Sequence, residues 1–467
     1  MFEKIKIGVA PTKRAFLSME EAQRQKERFM AVIRSVKPDK VELVVLDEVC
    51  ENGIAFRESD VAPAVAKLTG VDALFIPHCD YGEELVISAI AAALNVPTLL
   101  WGARDERPNI PGARGRDTQC GMFSCSKVLM RYGVKFSYIY NCETESEEFR
   151  SGFETFVRVA SVMKTLKSLR VAKIGARPAG FGSVISDEVK LLSDLGILTV
   201  PIAPVQVADL AKKLVADGDS DFTAYYAEVA SRIDFSSLPE ENAKNTAALV
   251  VALKKFLEKN NCAAGAVECW SAFGALLKAM PCLAVGELAD MGTPLSCETD
   301  VNGAVTLAIL KAVALGEESP FFADLTIRHP GNDNAELLWH CGPFPYSLKD
   351  PDCAARMEGG NETWRLKKGD ITIFRFDDLN DQFYLFSGEG RAVDGPETTG
   401  TYVWFEADDW KRWEEKLIFG PYIHHVGGVY GKYRRALQEA ARYIKGAVFE
   451  SPDIHSHTGP TGPTLLT

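Results

Sequence analysis

The feature that most constrains the fold is an alternation of short apolar segments with longer helical segments through the first two thirds of the chain. Residues 4–9, 71–77 and 170–175 are mostly apolar, and each contains valine and isoleucine. Such runs are typical of parallel strands that helices cover on both faces. The pattern predicts two successive doubly wound, Rossmann-like α/β domains, at residues 1–168 and 169–318. Residues 282–286 are predicted as one of the strands of the second sheet.

The pattern changes after about residue 318, where segments become alternating or aromatic and Gly, Asp and Asn turns separate them. Residues 321–328, 370–376 and 401–406 show this alternation, which is typical of antiparallel strands. The sequence predicts a C-terminal antiparallel β-barrel domain at residues 319–450, closed by a final helix near residues 431–445. Residues 451–467 carry Pro, Gly and Thr without a core pattern and are predicted to form a flexible tail.

Composition narrows the class of partner. The chain of 467 residues is 46% apolar, enough for the cores of about three domains. Asp and Glu outnumber Lys and Arg, 64 to 52, for a net charge of −12. An acidic surface repels phosphate, so we expect neither nucleic-acid nor membrane binding.

The eleven cysteines include no C-x-x-C pair, and the N-terminus lacks an apolar signal segment. We expect reduced thiols and a cytoplasmic protein.

Polar residues follow two predicted strands of the first sheet, where open parallel sheets bind ligands. Asp80 and Tyr81 follow one strand, and Trp101 and Arg107 stand at the end of the next. A solvated loop is the alternative interpretation for each residue. The arginines there could neutralise an anionic substrate group, although a solvated loop suits them better. These arginines are Arg104, Arg107, Arg114 and Arg116.

The glycine-rich segment 175–182 also follows a predicted strand. Its glycines have the wrong spacing for the dinucleotide-binding fingerprint, and Pro178 interrupts the turn. A nicotinamide-dependent dehydrogenase is therefore a poor alternative, and we expect no nucleotide cofactor.

Carboxylates and histidines later in the chain suggest a metal site. Glu298 precedes a helix that Asp300 is expected to cap. Asp324 stands in an apolar, β-rich run, where a carboxylate is costly to bury unless it is paired or bound to a cation. His424 and His425 are adjacent. Such an oxygen and nitrogen donor set suits Mn²⁺, Co²⁺ or Mg²⁺ better than a structural Zn²⁺.

These residues resemble the L-fucose isomerase/L-arabinose isomerase family. Glu298-Thr299-Asp300 followed by Asn302-Gly303 is similar to the Thr-Glu-Asn-Asp segment of fucose isomerase, whose Glu is a metal ligand. Phe322-Ala323-Asp324 resembles the Phe-Ala-Asp segment that carries the second carboxylate ligand. His424-His425 resembles the His-His pair that supplies an imidazole ligand in arabinose isomerase, and we prefer His425. The resemblance spans about residues 4–445. One departure is Ala10, where fucose isomerase has Arg.

The resemblance implies a metal-dependent aldose–ketose isomerase that acts on a small sugar through an enediol. Glu298 and Asp324 would be catalytic and, with His425 or His424, would hold Mn²⁺ or another divalent ion such as Co²⁺ or Mg²⁺. Whether Glu336 or His340 completes the metal site stays open. The family is oligomeric, so a trimer or hexamer with sites completed by a neighbouring subunit is expected. The alternative is a non-catalytic sugar-binding protein. The expected substrate contacts are His340, Glu268, Trp270, Asp80, Tyr81, Trp101 and Arg107.

Overall fold

The computed structural model describes residues 3–106 and 115–453 and contains two compact units. Among these residues, the first unit is drawn from Met1–Lys164 and Arg435–Tyr443, and the second from Thr165–Arg434 and Ile444–Gly459. Each unit is described by itself. The boundaries of the three predicted domains stay predictions.

The first unit is built on a five-stranded parallel sheet covered by helices, as the strand and helix alternation predicts. Its strands are β1 (Ile5–Val9), β2 (Val41–Val45), β3 (Ala73–His78), β4 (Thr98–Gly102) and β5 (Phe136–Tyr138), in the order β2-β1-β3-β4-β5. Its helices are α1 (Met19–Ser35), α2 (Val61–Leu68), α3 (Glu84–Leu94), α4 (Thr118–Arg131) and α5 (Glu147–Lys167), the last of which ends just past the unit boundary.

The second unit begins with a four-stranded parallel sheet. Its strands are β6 (Arg170–Ile174), β7 (Leu198–Ile202), β8 (Ala264–Val267) and β9 (Leu295–Ser296), in the order β7-β6-β8-β9. Its helices are α6 (Glu188–Leu195), α7 (Pro204–Asp217), α8 (Ser220–Ala230), α9 (Glu240–Lys259), α10 (Ala272–Leu277), α11 (Cys282–Asp290) and α12 (Val301–Val313).

The prediction of a strand at residues 282–286 is wrong. This segment is the start of α11, whose residues Cys282 to Ala289 are all buried. A helix that is buried all round presents a continuous apolar run, and over a few residues such a run cannot be told from a buried strand. The short strand β9 fills the sheet position instead.

The rest of the second unit contains the predicted antiparallel barrel, which the structure confirms. Six strands close on themselves in the order β16-β11-β10-β17-β14-β15, because β15 also pairs with β16. The strands of this region are β10 (Phe321–His329), β11 (Asn332–His340), β12 (Arg356–Glu358), β13 (Asn361–Arg365), β14 (Asp370–Leu379), β15 (Gln382–Val393), β16 (Thr401–Ala407), β17 (His425–Tyr430) and β18 (Ala447–Glu450).

Two helices complete the described secondary structure. Helix α13 (Trp410–Phe419) lies between β16 and β17 in sequence, and α14 (Arg434–Ala441) falls in the first unit except for its first residue. Glu439 of α14 accepts a hydrogen bond from the Ser137 hydroxyl on β5 at 2.9 Å, which ties the helix to that sheet. Within the part of the chain that the structure describes, none of the helices is both long and apolar enough to cross a bilayer.

Helix α12 is the element that positions the candidate site. It packs against the second sheet through β8 and against the barrel through β14 and β17, and all but one of its residues are buried. Gly427 and Gly428 let β17 approach closely, because a Cβ on Gly427 would lie 2.6 Å from Leu310 and one on Gly428 would overlap Phe321. Helix α12 and strand β10 thereby both pack closely against β17.

Candidate metal centre

The turn before α12 is strained and brings two carboxylates together. Glu298 and Thr299 have φ of 58° and 55°, in the left-handed region, at a cost of about 1–3 kcal/mol each for residues other than glycine. Asp300 caps the helix, as predicted, and accepts a hydrogen bond from the Gly303 amide at 2.8 Å. Such strain persists only where the surroundings enforce it, and it clusters at functional sites.

Strand pairing in the barrel supplies the third carboxylate and an imidazole. Strand β10 pairs antiparallel with β17, and Asp324 lies directly opposite His425 in this register. Directly opposed residues in an antiparallel pair point to the same face of the sheet. His425 is fully buried, whereas Asp324 is partly exposed.

Glu298, Asp324 and His425, far apart in sequence, converge in space. The Nε2 atom of His425 lies 2.7 Å from Oε2 of Glu298 and 3.6 Å from Oδ1 of Asp324. His340, at the end of β11, places its own Nε2 3.9 Å from the same Asp324 oxygen. These contacts link the four side chains in the order Glu298, His425, Asp324, His340.

The fit to a cation rests on four buried polar atoms. Oε2 of Glu298, Oδ1 of Asp324 and Nε2 of both His340 and His425 are all buried without a hydrogen-bond partner. The short contact between Glu298 and His425 thus lacks hydrogen-bond geometry. Unpartnered buried polar atoms are costly, and a divalent cation beside Nε2 of His425 would give a partner to this nitrogen and to the carboxylate oxygens next to it. Mixed carboxylate and imidazole donors suit Mn²⁺ or Co²⁺.

His424 offers a second way to complete the centre. Asp324, His424 and His425 each place a ligand atom within 4.8 Å of the other two. His424 is exposed and precedes β17, whereas His340 is buried and its Nε2 is unpartnered. Nδ1 of His340 accepts a hydrogen bond from the Cys341 amide at 2.9 Å, so the neutral ring of His340 carries its hydrogen on Nε2 and offers no lone pair there. His424 is therefore the better candidate for the further imidazole donor.

A buried charge network lies on the far side of His425. Its Nδ1 lies 2.9 Å from Oδ2 of Asp300, which pairs with Arg375 at 2.5 Å. Burial lowers the pKa of His425, but its contacts with Asp300 and Glu298 outweigh this and raise the pKa to about 9. Burial raises the pKa of Glu298, and His425 more than reverses that shift, so the net pKa is lowered. The centre therefore favours ionised carboxylates and a bound positive charge.

Trp270 and Phe181 form an aromatic wall beside the centre. The indole Nε1 of Trp270 donates a hydrogen bond to Oε1 of Glu298 at 3.0 Å, and the Trp270 residue is 60% exposed. The ring of Phe181 lies 5.0 Å from that of Trp270 and 6.2 Å from that of His425. The predicted contact residue Glu268 follows β8 and accepts hydrogen bonds from the Ser271 hydroxyl in its own loop and from the Ala176 amide in the turn after β6.

Asp80 and Tyr81 lie in the first unit. Asp80 is buried and accepts hydrogen bonds from the amides of Arg14 and Gly82, at 2.6 and 2.9 Å. Burial is the largest influence on this carboxyl and raises its pKa to about 6. The guanidinium of Arg14 stacks over the Tyr81 ring at 4.3 Å. Both residues thus shape the loop that follows β3.

Of the two other predicted contacts in the first unit, the structure describes one. Trp101 is fully buried and stacks on Phe149 with ring centroids 3.9 Å apart. Its contact with a sugar stays a prediction. Arg107 lies outside the described residues.

Sequence reasoning missed Arg375, Phe181 and the contact of Asp300 with His425. Arg375 did leave a signal, because it interrupts the apolar strand β14 at a position that proves fully buried. A charged residue at an inward position requires a buried partner of opposite charge. Phe181 left no signal in the sequence, because a single aromatic residue in a glycine-rich turn belongs to no periodic pattern.

Comparisons with known proteins agree with the resemblance. Residues 8–167 match the family described as the N-terminal domain of fucose/sulfoquinovose isomerase. A sulfoquinovose isomerase from Priestia aryabhattai is 26% identical over 80% of this chain and 84% of its own length. These similarities are consistent with a remote relationship to the fucose isomerase family.

Two further relatives of the same name extend this similarity. The sulfoquinovose isomerase of Alkalicoccus urumqiensis is 26% identical over 71% of this chain and 75% of its own length. That of a Clostridium species is 25% identical over 80% and 84%, respectively. Together with the matched family, these relatives support an enzyme of the aldose–ketose isomerase class, an intramolecular oxidoreductase.

Proposed function

We propose that the protein is a metal-dependent aldose–ketose isomerase whose divalent cation is held by Glu298, Asp324 and His425. His424 is the favoured further donor and His340 the alternative. The observation that carries the proposal is that Asp324, His424 and His425 place ligand atoms within 4.8 Å of one another, while the buried, unpartnered Oε2 of Glu298 lies 2.7 Å from Nε2 of His425. Mn²⁺ is the first ion to test, since it accepts both donor types.

When bound, a divalent cation supplies Lewis-acid chemistry, which acidifies the hydrogen on C2 of an open-chain aldose and stabilises the charge of the enediolate. The side chains carry the proton transfers. One of Glu298 and Asp324, as the ionised base, removes the C2 proton and, once protonated, returns it to C1, while the other carboxylate passes the proton of the C2 hydroxyl to O1. The reaction moves hydrogen within the sugar and needs no external oxidant.

The surroundings of Glu298 prepare it for this role. The Trp270 indole holds Oε1, which leaves Oε2 directed at the centre. The lowered pKa of Glu298 keeps it ionised at neutral pH, as a base requires. Trp270, with its exposed ring, also offers the apolar face on which sugars stack. We therefore propose Trp270 as a substrate contact, whereas Glu268 would act by holding its loop.

Sulfoquinovose is the first substrate to test, because the relatives carry that name. L-Fucose and L-arabinose are the other sugars that the resemblance suggests. We further propose a homo-oligomer, trimeric or hexameric, in which Asp80, Tyr81 and Arg107 of one subunit serve the site of a neighbour. A cytoplasmic location remains part of this proposal.

The deciding experiment is a panel of aldoses with purified protein, in which ketose formation is measured after chelation and after addition of Mn²⁺. We expect turnover of at least one sugar, its loss with EDTA and its return with Mn²⁺. Turnover that survives complete metal removal would contradict metal dependence. Sugar binding that survives chelation, without turnover of any sugar under any condition, would favour the non-catalytic alternative.

A further inference from the structure

Three buried charged side chains stand in line behind the candidate metal centre. Nδ1 of His425 lies 2.9 Å from Oδ2 of Asp300. Arg375 donates a hydrogen bond to each oxygen of that carboxylate, at 2.5 Å to Oδ2 and 3.2 Å to Oδ1. The side chains of all three residues are 0% exposed. Asp300 meets the imidazole at the ring edge opposite Nε2, which faces Glu298 and Asp324.

We propose that Asp300 and Arg375 are positioning residues that fix which nitrogen of His425 carries the hydrogen. An ionised carboxylate can only accept hydrogen bonds, so the nitrogen that faces Asp300, Nδ1, must be the protonated one. In the neutral ring, Nε2 then keeps a free lone pair directed at the centre. This inference rests on the proposed function. It assigns a role to two residues that take no part in the proton transfers.

Arg375 is needed because Asp300 must stay ionised in a fully buried place. A buried carboxylate without a cationic partner takes up a proton instead. Bidentate pairing with a guanidinium is the geometry that best prevents this. Arg375 is itself held by Asp377, which accepts a hydrogen bond from its Nε at 3.0 Å. Strand β14 thereby anchors the orientation of a residue on β17.

Every hydrogen-bonding position of Asp300 has a donor. Oδ1 accepts from the Gly303 amide and from Arg375, while Oδ2 accepts from Arg375 and faces Nδ1 of His425. An amide group cannot replace this carboxylate. Its NH₂ is itself a donor, and in either orientation it would face two of the donors that now surround Asp300. If the NH₂ faces His425, the hydrogen moves to Nε2 and blocks the metal-binding lone pair.

The test is Asp300→Asn, which keeps the size of the side chain. Mn²⁺ affinity would be measured on the full-length protein by electron paramagnetic resonance of the free ion. We expect the affinity to fall about 10- to 100-fold, the range typical when the partner of a metal-bound histidine is removed. An Asp300→Asn protein that is folded and binds Mn²⁺ as tightly as the wild type would overturn the inference.

A spectroscopic measurement separates positioning from general damage. In protein with ¹⁵N-labelled histidine and bound Zn²⁺, we expect the His425 ring to show a protonated Nδ1 and a metal-bound Nε2. Loss of that signal in His425→Gln assigns it. The signal should change in Asp300→Asn. An unchanged Nδ1–H signal would contradict the role assigned to Asp300.

Glu287→Gln is the matched control. Glu287 is also buried and also pairs with an arginine, Arg232, at 3.0 Å, but it lies on α11 and its pair serves to hold that helix. We expect it to lower thermal stability while Mn²⁺ affinity stays within about threefold of wild type, as expected for sites that share no partners. An equal loss of Mn²⁺ affinity in Glu287→Gln would show that any buried ion pair has the same effect, against the proposal.

Arg375→Lys provides a second variant that keeps the charge. Lysine cannot form the bidentate contact, so we expect a loss of Mn²⁺ affinity smaller than that of Asp300→Asn. Wild-type affinity in Arg375→Lys would contradict the need for two contacts. A wild-type protein that binds no Mn²⁺ at all would instead refute the metal centre of the proposed function.

Discussion

Two fully buried histidines, one in each unit, stand in opposite electrostatic surroundings. His78 ends β3, and its Nδ1 lies 2.9 Å from the Tyr81 carbonyl oxygen. Burial dominates there and lowers the pKa of His78 to about 4. His425 begins β17 among the carboxylates of Glu298, Asp300 and Asp324, which raise its pKa to about 9 despite burial.

The comparison teaches that burial alone does not decide the charge of an imidazole. Near His78, the nearby carboxylate of Asp80 is occupied by the main-chain amides of Arg14 and Gly82 and serves to build a loop. Near His425, carboxylate oxygens remain directed at the ring. The same residue types give a neutral structural histidine in one unit and a strong cation-binding environment in the other.

The largest effect is expected when a charge is removed from the proposed metal centre. Glu298→Gln and Asp324→Asn should each lower kcat by roughly 10³-fold or more, because each loses a base and a metal ligand together. Ketose formation by purified, Mn²⁺-loaded protein measures this, with circular dichroism to verify folding. Turnover near that of wild type in either folded variant would count against the assignment.

The two histidines themselves provide the next test. His425→Gln should weaken Mn²⁺ binding by more than about 100-fold, since it removes a direct ligand, whereas His78→Gln should leave it unchanged. Because a ligand of the native state raises stability by about 2.7 kcal/mol at 100 times its Kd, thermal unfolding with and without Mn²⁺ reports the difference. Equal Mn²⁺-induced shifts of Tm in the two variants would show that His425 contributes no more to Mn²⁺ binding than His78 does.

The low pKa of His78 gives a pH-dependent stability. The unfolded state takes up a proton below its pKa of 6.5 while folded His78 stays neutral down to about 4, so stability falls as pH drops through this window. From pH 6.5 to 5 this loss amounts to about 2 kcal/mol at 1.36 kcal/mol per pH unit.

Urea denaturation of wild type and His78→Gln at both pH values checks this loss. The variant should lack that part of the decline, and contributions from Asp80 should largely cancel in the comparison. Parallel declines in the two proteins would mean that His78 is not a buried neutral imidazole.

The smallest expected effect concerns the hydrogen bond from Trp270 to Glu298. Trp270→Phe keeps an aromatic ring and loses the N–H, so we expect kcat/KM to fall about tenfold, as for one hydrogen bond to a charged group. Trp404→Phe is the control, because its indole donates to the Pro396 carbonyl oxygen instead. An equal loss of kcat/KM in Trp404→Phe would show that the effect of Trp270→Phe does not come from the lost hydrogen bond to Glu298.

The first sheet shows where sequence patterns suffice. Strands β1 and β3 lie within about two residues of the predicted segments 4–9 and 71–77. Continuous apolar strands between amphipathic helices carry strong local signals. The barrel was predicted for a similar reason, since alternation over several segments is specific to antiparallel strands.

Other elements left no clear local signal. Strand β17 was not predicted, because Gly427 and Gly428 lower its strand propensity, and this left the choice between His424 and His425 open. Helix α8 was also missed. The segment at residues 282–286 was assigned the wrong structure, since burial on all sides hides the period of a helix.

From sequence patterns alone follow the alternation of strands and helices in the first two sheets, the antiparallel character of the barrel, the cap at Asp300 and the residue types available for a metal site. The tertiary structure adds that Glu298 and Asp324 both lie beside His425, and that Asp300 and Arg375 lie behind its ring. Local patterns report which face of an element is buried. Which buried faces meet depends on long-range strand pairing and on the close approach of α12 to β17, and a one-residue change of register would turn His425 away.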